Sequence, residues 1–174
     1  MSYDPYKIDL VVYTDGACLG NGRPGARGGW GVYFGETDDR SCFGRLHGSV
    51  QTNQRAELEA IYQALVVLRD SLIECADKIG CRYASCGHVF RHSILIKTDS
   101  RYSIDCLTRW SGKWRRNGWT NAMGNPVANA DLIQEILELM DTCGSDIYYE
   151  YVPGHLDIPG NIAAHNLAQR GARS

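Results

Sequence analysis

The sequence predicts one α/β domain spanning all 174 residues. Three observations carry this. Leu10-Val11-Val12-Tyr13 and Ile94-Leu95-Ile96-Lys97 are short, largely apolar runs, the pattern of strands buried on both faces, and each leads into a Thr-Asp pair, Thr14-Asp15 and Thr98-Asp99. Trp30-Gly31-Val32-Tyr33-Phe34 and a weaker strand within Ser41–Val50 follow the first run at short spacing, which predicts an antiparallel meander. Beyond them, helical spacing of apolar residues alternates with strand-like runs. A chain of this length can bury a real core.

Composition excludes several classes. Apolar residues make up 44% and charged residues 22%, ordinary for a globular chain. Net charge is −2, so a nucleic-acid partner must be argued from a local patch. No apolar run reaches membrane-spanning length, so no membrane partner is expected. Met1–Asp9 is polar, without an apolar signal segment, and the cysteines number seven, an odd count without framework spacing. Reduced thiols and an intracellular setting are expected.

The elements follow in order. Ala17–Gly29 reads as a glycine-rich connection that lacks the Gly-Lys-Ser/Thr ending of a nucleotide-binding P-loop. A helix begins near Gln51, with Thr52 or Asn53 as N-cap and Ala60, Ile61, Ala64, Leu65 and Leu68 as its apolar stripe. Glu57 lies three, four and seven positions before Ala60, Ile61 and Ala64, on the core-facing side, whereas Glu59 reads as solvated. From about Ser71 to His92 the pattern weakens into an insertion bearing Cys75, Cys81, Cys86, His88 and His92, whose spacing fits no common zinc arrangement well. A helix runs from Ser100 to Trp110, another opens at Val127–Asp131 and ends at Gly144, Ile147–Val152 is a fifth strand, and Ile162–Arg170 closes the chain as a helix.

Two features carry chemistry. Asp15 and Asp99 end matched strands; if those strands are parallel neighbours, both carboxylates leave one sheet edge, where ligand sites of open α/β sheets lie. Like charges that close need a cation or a shared proton, and Glu57, costly to bury alone, joins them. The second feature is Arg109–Trp119, in which cations interleave with three tryptophans, a composition suited to a nucleic-acid backbone. Trp114 lies four residues after Trp110, so part of this segment also reads as core.

Five motifs in this order resemble type 1 ribonuclease H over about Leu10–Ala172: Tyr-Thr-Asp-Gly at 13–16, Thr-Asn-Gln-Arg-Ala-Glu at 52–57, Thr-Asp-Ser at 98–100, Trp-Arg-Arg-Asn-Gly-Trp at 114–119 and Val-Pro-Gly-His at 152–155. The resemblance implies a ribonuclease H-like fold, a five-stranded mixed sheet flanked by helices with its first three strands antiparallel. It also implies endonucleolytic hydrolysis of the RNA strand of RNA–DNA hybrids, with 5′-phosphate products, by a monomer holding two Mg²⁺ ions. Asp15, Glu57 and Asp99 match the metal-binding carboxylates, and hard oxygen ligands suit Mg²⁺. His155 matches a loop histidine that assists proton transfer or product release. Asn21, Asn53 and Gln54 match minor-groove contacts, where 2′-hydroxyls mark RNA. Thr52 and Asn129 match a pocket for a DNA-strand phosphate, and Lys113, Trp114, Arg115, Arg116 and Trp119 match a basic protrusion. Val50 stands where some relatives place an arginine of the phosphate pocket.

The main departure is His165. After Gly160-Asn161 the family pattern places a fourth carboxylate, and here a histidine stands in its position as catalytic and metal-binding candidate. Imidazole can ligate directly or through water but adds no negative charge, so weaker Mg²⁺ binding at the second position and a preference for Mn²⁺ are expected. Asp157 is an alternative source of the missing charge. Two readings compete with a working enzyme: a hybrid-binding module with weak or no catalysis because of His165, and a ribonuclease H domain of retroelement origin.

Overall fold

The structure is a computed structural model that describes residues 4, 7–78, 92–154 and 156–174, the backbone alone for residues 72–78. Five strands form one sheet: β1 (Leu10–Leu19), β2 (Arg27–Tyr33), β3 (Cys42–Arg45), β4 (Ser93–Thr98) and β5 (Asp146–Tyr151), in the order β3-β2-β1-β4-β5. β1, β2 and β3 are antiparallel neighbours, while β4 pairs parallel with both β1 and β5. The mixed sheet therefore joins the expected meander to a parallel pair at β1. The helices are α1 (Asn53–Lys78), α2 (Arg101–Asp105), α3 (Ser111–Arg116), α4 (Ala130–Thr142) and α5 (Pro159–Arg173), with a π-helical turn at Cys106–Trp110 between α2 and α3.

The main core fills one face of the sheet. Val12, Val32, Ile94 and Ile96 meet Leu58, Ile61, Leu65 and Leu68 of α1 and Ile133 and Ile136 of α4. Strand alternation turns the remaining side chains to the opposite face, where α5 lies. There Gly29 and Gly31 leave β2 bare, and a Cβ at either would overlap α5 backbone at Ala164, Ala168 or Ala172. α5 packs against that glycine strip with Ala164, Ala168 and Ala172 fully buried.

Several expectations are corrected. β1 does not end at Asp15 but continues to Leu19, and β2 starts at Arg27, so the glycine-rich connection shrinks to the turn at 20–26. The long strands result from β1–β2 pairing, seven residue pairs from Tyr13↔Tyr33 to Leu19↔Arg27, which local composition does not display. The expected helix from Ser100 to Trp110 is present from Arg101, with Ser100 as its cap, but its second half, Cys106–Trp110, is wound as a π-helix and the chain stays helical beyond it into α3. The helix expected at Val127 starts at Ala130, because Asn129 adopts a left-handed backbone (φ 58°). α5 starts earlier than expected, with Pro159 in its first turn. α1 continues to Lys78; the rest of the insertion, with its Cys and His residues up to His88, lies outside the described residues. Among the described residues no helix is long and apolar enough to cross a membrane.

Candidate active site

Asp15 lies mid-strand, and what ends beside it is its parallel neighbour. The β1–β4 pairing runs from Leu10↔Ile94 to Thr14↔Thr98 and stops there. Past that point β4 leaves the sheet at Asp99, and Ser100 caps α2 by accepting from Ser103 N–H (3.2 Å). Asp15 and Asp99 thus occupy equivalent register positions at one sheet edge. Glu57 arrives from α1 because Gly16 has no side chain: a Cβ there would overlap the backbone of Ala56 and Glu57. The Gly16 N–H then donates to Glu57 Oε2 at 3.0 Å, and Asn53 Nδ2 donates to Oε1 at 3.4 Å.

Ligand atoms of Asp15, Glu57 and Asp99 all lie within 4.8 Å of one another. Asp15 is 2% exposed and Glu57 7%. Burial, followed by the charge of Asp99, raises the Asp15 pKa to about 6 against the opposing pull of His165 and the Gly16 N–H. Burial, then Asp15 and Asp99, pushes Glu57 well above its ordinary value. Three hard oxygen donors held together against their own repulsion fit a divalent cation, whose charge would reverse both shifts.

His165 reaches this cluster from α5. The glycine strip on β2 lets α5 lie close, and the His165 Nδ1 stands 2.8 Å from Asp15 Oδ2. Its side chain remains 53% exposed. With Nδ1 on Asp15, Nε2 is the ring nitrogen left for other partners. Asp157 is exposed and is not part of the three-carboxylate cluster. His155 lies outside the described residues; next to it, Gly154 packs so closely on Asp99 that a Cβ would overlap Oδ2.

The expected nucleic-acid contacts form the surroundings. Asn21 Oδ1 accepts from Asn53 N–H (3.1 Å), fastening the β1–β2 turn to the start of α1. Thr52 is the N-cap, its Oγ1 accepting from Arg55 N–H (3.2 Å); Gln54 is exposed. Asn129 comes near this end of α1 through Arg55, a residue to which sequence reasoning assigned no part. Arg55 forks onto Asp131 (3.0 and 2.7 Å) and donates to Asn129 Oδ1 (3.4 Å), and Asn129 Nδ2 donates to Tyr102 OH (3.3 Å). Its place inside the Thr-Asn-Gln-Arg-Ala-Glu motif was the available signal. In the tryptophan segment Trp110 is exposed and rests on Trp114, with ring centroids 5.6 Å apart. Trp114 and Trp119 pack against the core with ring centroids 6.1 Å apart, while Lys113, Arg115 and Arg116 face outward.

The ribonuclease H family model matches residues 7–173 of the chain. The chain belongs to the ribonuclease H family. It is 40% identical over 162 residues to a ribonuclease H of Schizosaccharomyces pombe, covering 93% of this chain and 52% of that protein. It is 36% identical over 163 residues to a ribonuclease H of Albidiferax ferrireducens, covering 93% of each. The chain thus spans about half the length of the eukaryotic relatives it matches and most of the bacterial one. Among solved structures it resembles LC9-RNase H1, described as a type 1 RNase H with the type 2 active-site motif, with TM-score 0.66 and 27% identity over 99% of this chain and 75% of that one. Ribonucleases H depend on divalent metal ions, and the three-carboxylate cluster is where this chain can hold one.

Proposed function

We propose that this chain hydrolyses the RNA strand of RNA–DNA hybrids, leaving 5′-phosphate ends, with Mg²⁺ as the natural cofactor at two positions. The observation carrying this is the convergence of Asp15, Glu57 and Asp99 within 4.8 Å on a ribonuclease H fold. Those carboxylates would hold the ions, which supply charge neutralisation at the phosphodiester and acidify water. The chain positions them: the Gly16 N–H holds Glu57, His165 holds Asp15, and Gly154 backs Asp99. Asn21, Asn53 and Gln54 are the candidates for sensing 2′-hydroxyls across the minor groove. Thr52 and Asn129 would grip a DNA-strand phosphate, Lys113, Arg115 and Arg116 would follow that strand's backbone, and His155 would move a proton to or from the cleaved ends. His165 stands in for a fourth carboxylate at the second ion position, which favours Mn²⁺.

Labelled RNA–DNA hybrid, duplex DNA, duplex RNA and single-stranded RNA, incubated with Mg²⁺ or Mn²⁺, test this. Cleavage confined to the RNA of the hybrid and abolished by D15N is expected. Tight hybrid binding without cleavage in either metal would instead support the binding-module reading.

A further inference from the structure

The described cations divide sharply by whether a carboxylate faces them. Arg40, Arg55, Arg69, Lys97, Arg109 and Arg115 are each ion-paired. Arg23, Arg27, Arg45, Arg170 and Arg173 are all exposed, and among the described residues no carboxylate ion-pairs with any of them; the same holds for Lys113 and Arg116 of the tryptophan segment and for Arg101, which lies over the Tyr151 ring at 4.0 Å. For the first five the reason is in the chain: residues 16–35, 40–56 and 158–174 contain no Asp or Glu. The fold then gathers these segments. Alternation along β2 puts Arg27 on the same face as Gly29 and Gly31, which receive α5. The β2–β3 register pairs Gly29 with Arg45 and Gly31 with Phe43, so both join that face. The Arg170 guanidinium lies 4.3 Å from the Phe43 ring centre, with Arg173 one turn further on. Ala26, Arg45, His47 and Gln51 line one hollow beside the turn that carries Arg23.

The simplest alternative is that Arg170 and Arg173 offset the C-terminal dipole of α5. That accounts for two of the five and for none of those on β2, β3 or the β1–β2 turn. In a chain of net charge −2, these acid-free segments bring Arg27, Arg45 and Arg170 to the α5 face, with Arg23 in the adjoining turn and Arg173 at the end of α5, a locally positive surface that favours an anion. The patch is continuous with the active site at two points. Asn21, two residues before Arg23, is bonded to Asn53 at the start of α1. His165, on Asp15, lies eight residues before Arg173 along α5, about 12 Å at the helical rise. It lies on the α5 face of the sheet, whereas the Lys113–Trp119 segment packs with the core of the opposite face.

We propose that this arginine face is a second phosphate-binding strip, taking the RNA-strand backbone of the hybrid outside the cleavage position, an inference that rests on the proposed hybrid substrate. The test measures hybrid binding in Ca²⁺ against salt concentration, with one hybrid just covering the active site and one extending well beyond it. The variant R23Q/R27Q/R45Q is expected to lose at least tenfold in affinity for the long hybrid at low salt. Its log–log salt slope should fall by about 2 to 3. Affinity for the short hybrid and kcat upon it should stay unchanged, and R23K/R27K/R45K should restore the slope. An unchanged slope on the long hybrid overturns the strip and hands the face to another class of partner; equal weakening on both hybrids also overturns it. Wild-type cleavage of the short hybrid is measured first. Its absence defeats the substrate reading, whereas cleavage with an unaltered slope defeats only the strip.

Discussion

His165 and Asp15 stand 150 positions apart in the chain, yet the imidazole Nδ1 lies 2.8 Å from the Asp15 Oδ2. A carboxylate in place of His165 would repel Asp15 there and add a hard oxygen ligand. H165D is therefore expected to reach half-maximal cleavage at several-fold lower Mg²⁺ and to lose any preference for Mn²⁺. Calorimetric titration of both ions into native and H165D protein checks this independently of turnover. Indistinguishable metal profiles would remove any role for the histidine in ion choice.

Folding stability of the chelated protein should fall as pH rises. The folded Asp15 pKa is about 6 against 3.8 for the free side chain, so the folded state binds the proton more tightly. Stability is then greatest below pH 4 as far as this group is concerned. It declines as pH climbs through 6, by about 3 kcal/mol at full ionisation. Glu57, raised in the same direction, adds to the trend. D15N should flatten the curve and raise the Tm of the chelated protein at pH 7, and Mg²⁺ should stabilise native protein but not D15N. A chelated protein whose Tm rises between pH 5 and 7 contradicts the burial argument.

Gly154 and Gly16 are expected to separate geometry from stability. A methyl group at Gly154 meets the end of one carboxylate, Asp99. G154A should cut kcat about 100-fold, the scale of an ångström's misplacement, with a small change in Tm. A methyl group at Gly16 meets helix backbone instead, so G16A should cost about 3 kcal/mol or more in unfolding experiments. If G154A cleaves at the native rate, Asp99 is not held by that contact.

Arg55 should act on substrate through Asn129. By occupying Asn129 Oδ1 it leaves the amide Nδ2 as the donor side of that residue. R55A is predicted to raise KM for the hybrid about tenfold, equivalent to about 1.4 kcal/mol, with kcat little changed. In a cycle with N129A that penalty should disappear, because the residue through which it acts is gone. Equal penalties in both backgrounds would show Arg55 acting elsewhere.

Much of the fold was legible because β1, β4 and α1 announce themselves locally. Val12, Ile94 and Ile96 sit in apolar runs that suit only buried strands, and the stripe from Ala60 to Leu68 repeats at helical spacing. Glu57 could be singled out because a carboxylate on that stripe conflicts with its surroundings. The extension of β1 to Leu19 was not legible, since Ala17 and Cys18 gain their strand conformation from partners Gly29 and Gly28 across a turn. Nor was the late start of α4, where Arg55, Tyr102 and Asp131 surround a left-handed Asn129.

By itself the sequence determined which residues carry charge at the ends of apolar strands, which helix face is buried and which segments lack acids, because these follow from local order and periodicity. Only the tertiary structure decided that His165 meets Asp15, that Arg55 holds Asn129 and that Arg27, Arg45 and Arg170, far apart in the chain, share one face. Those contacts depend on strand register and on how closely α5 and α1 approach bare glycines, and such distances arise when segments far apart in the chain are packed together.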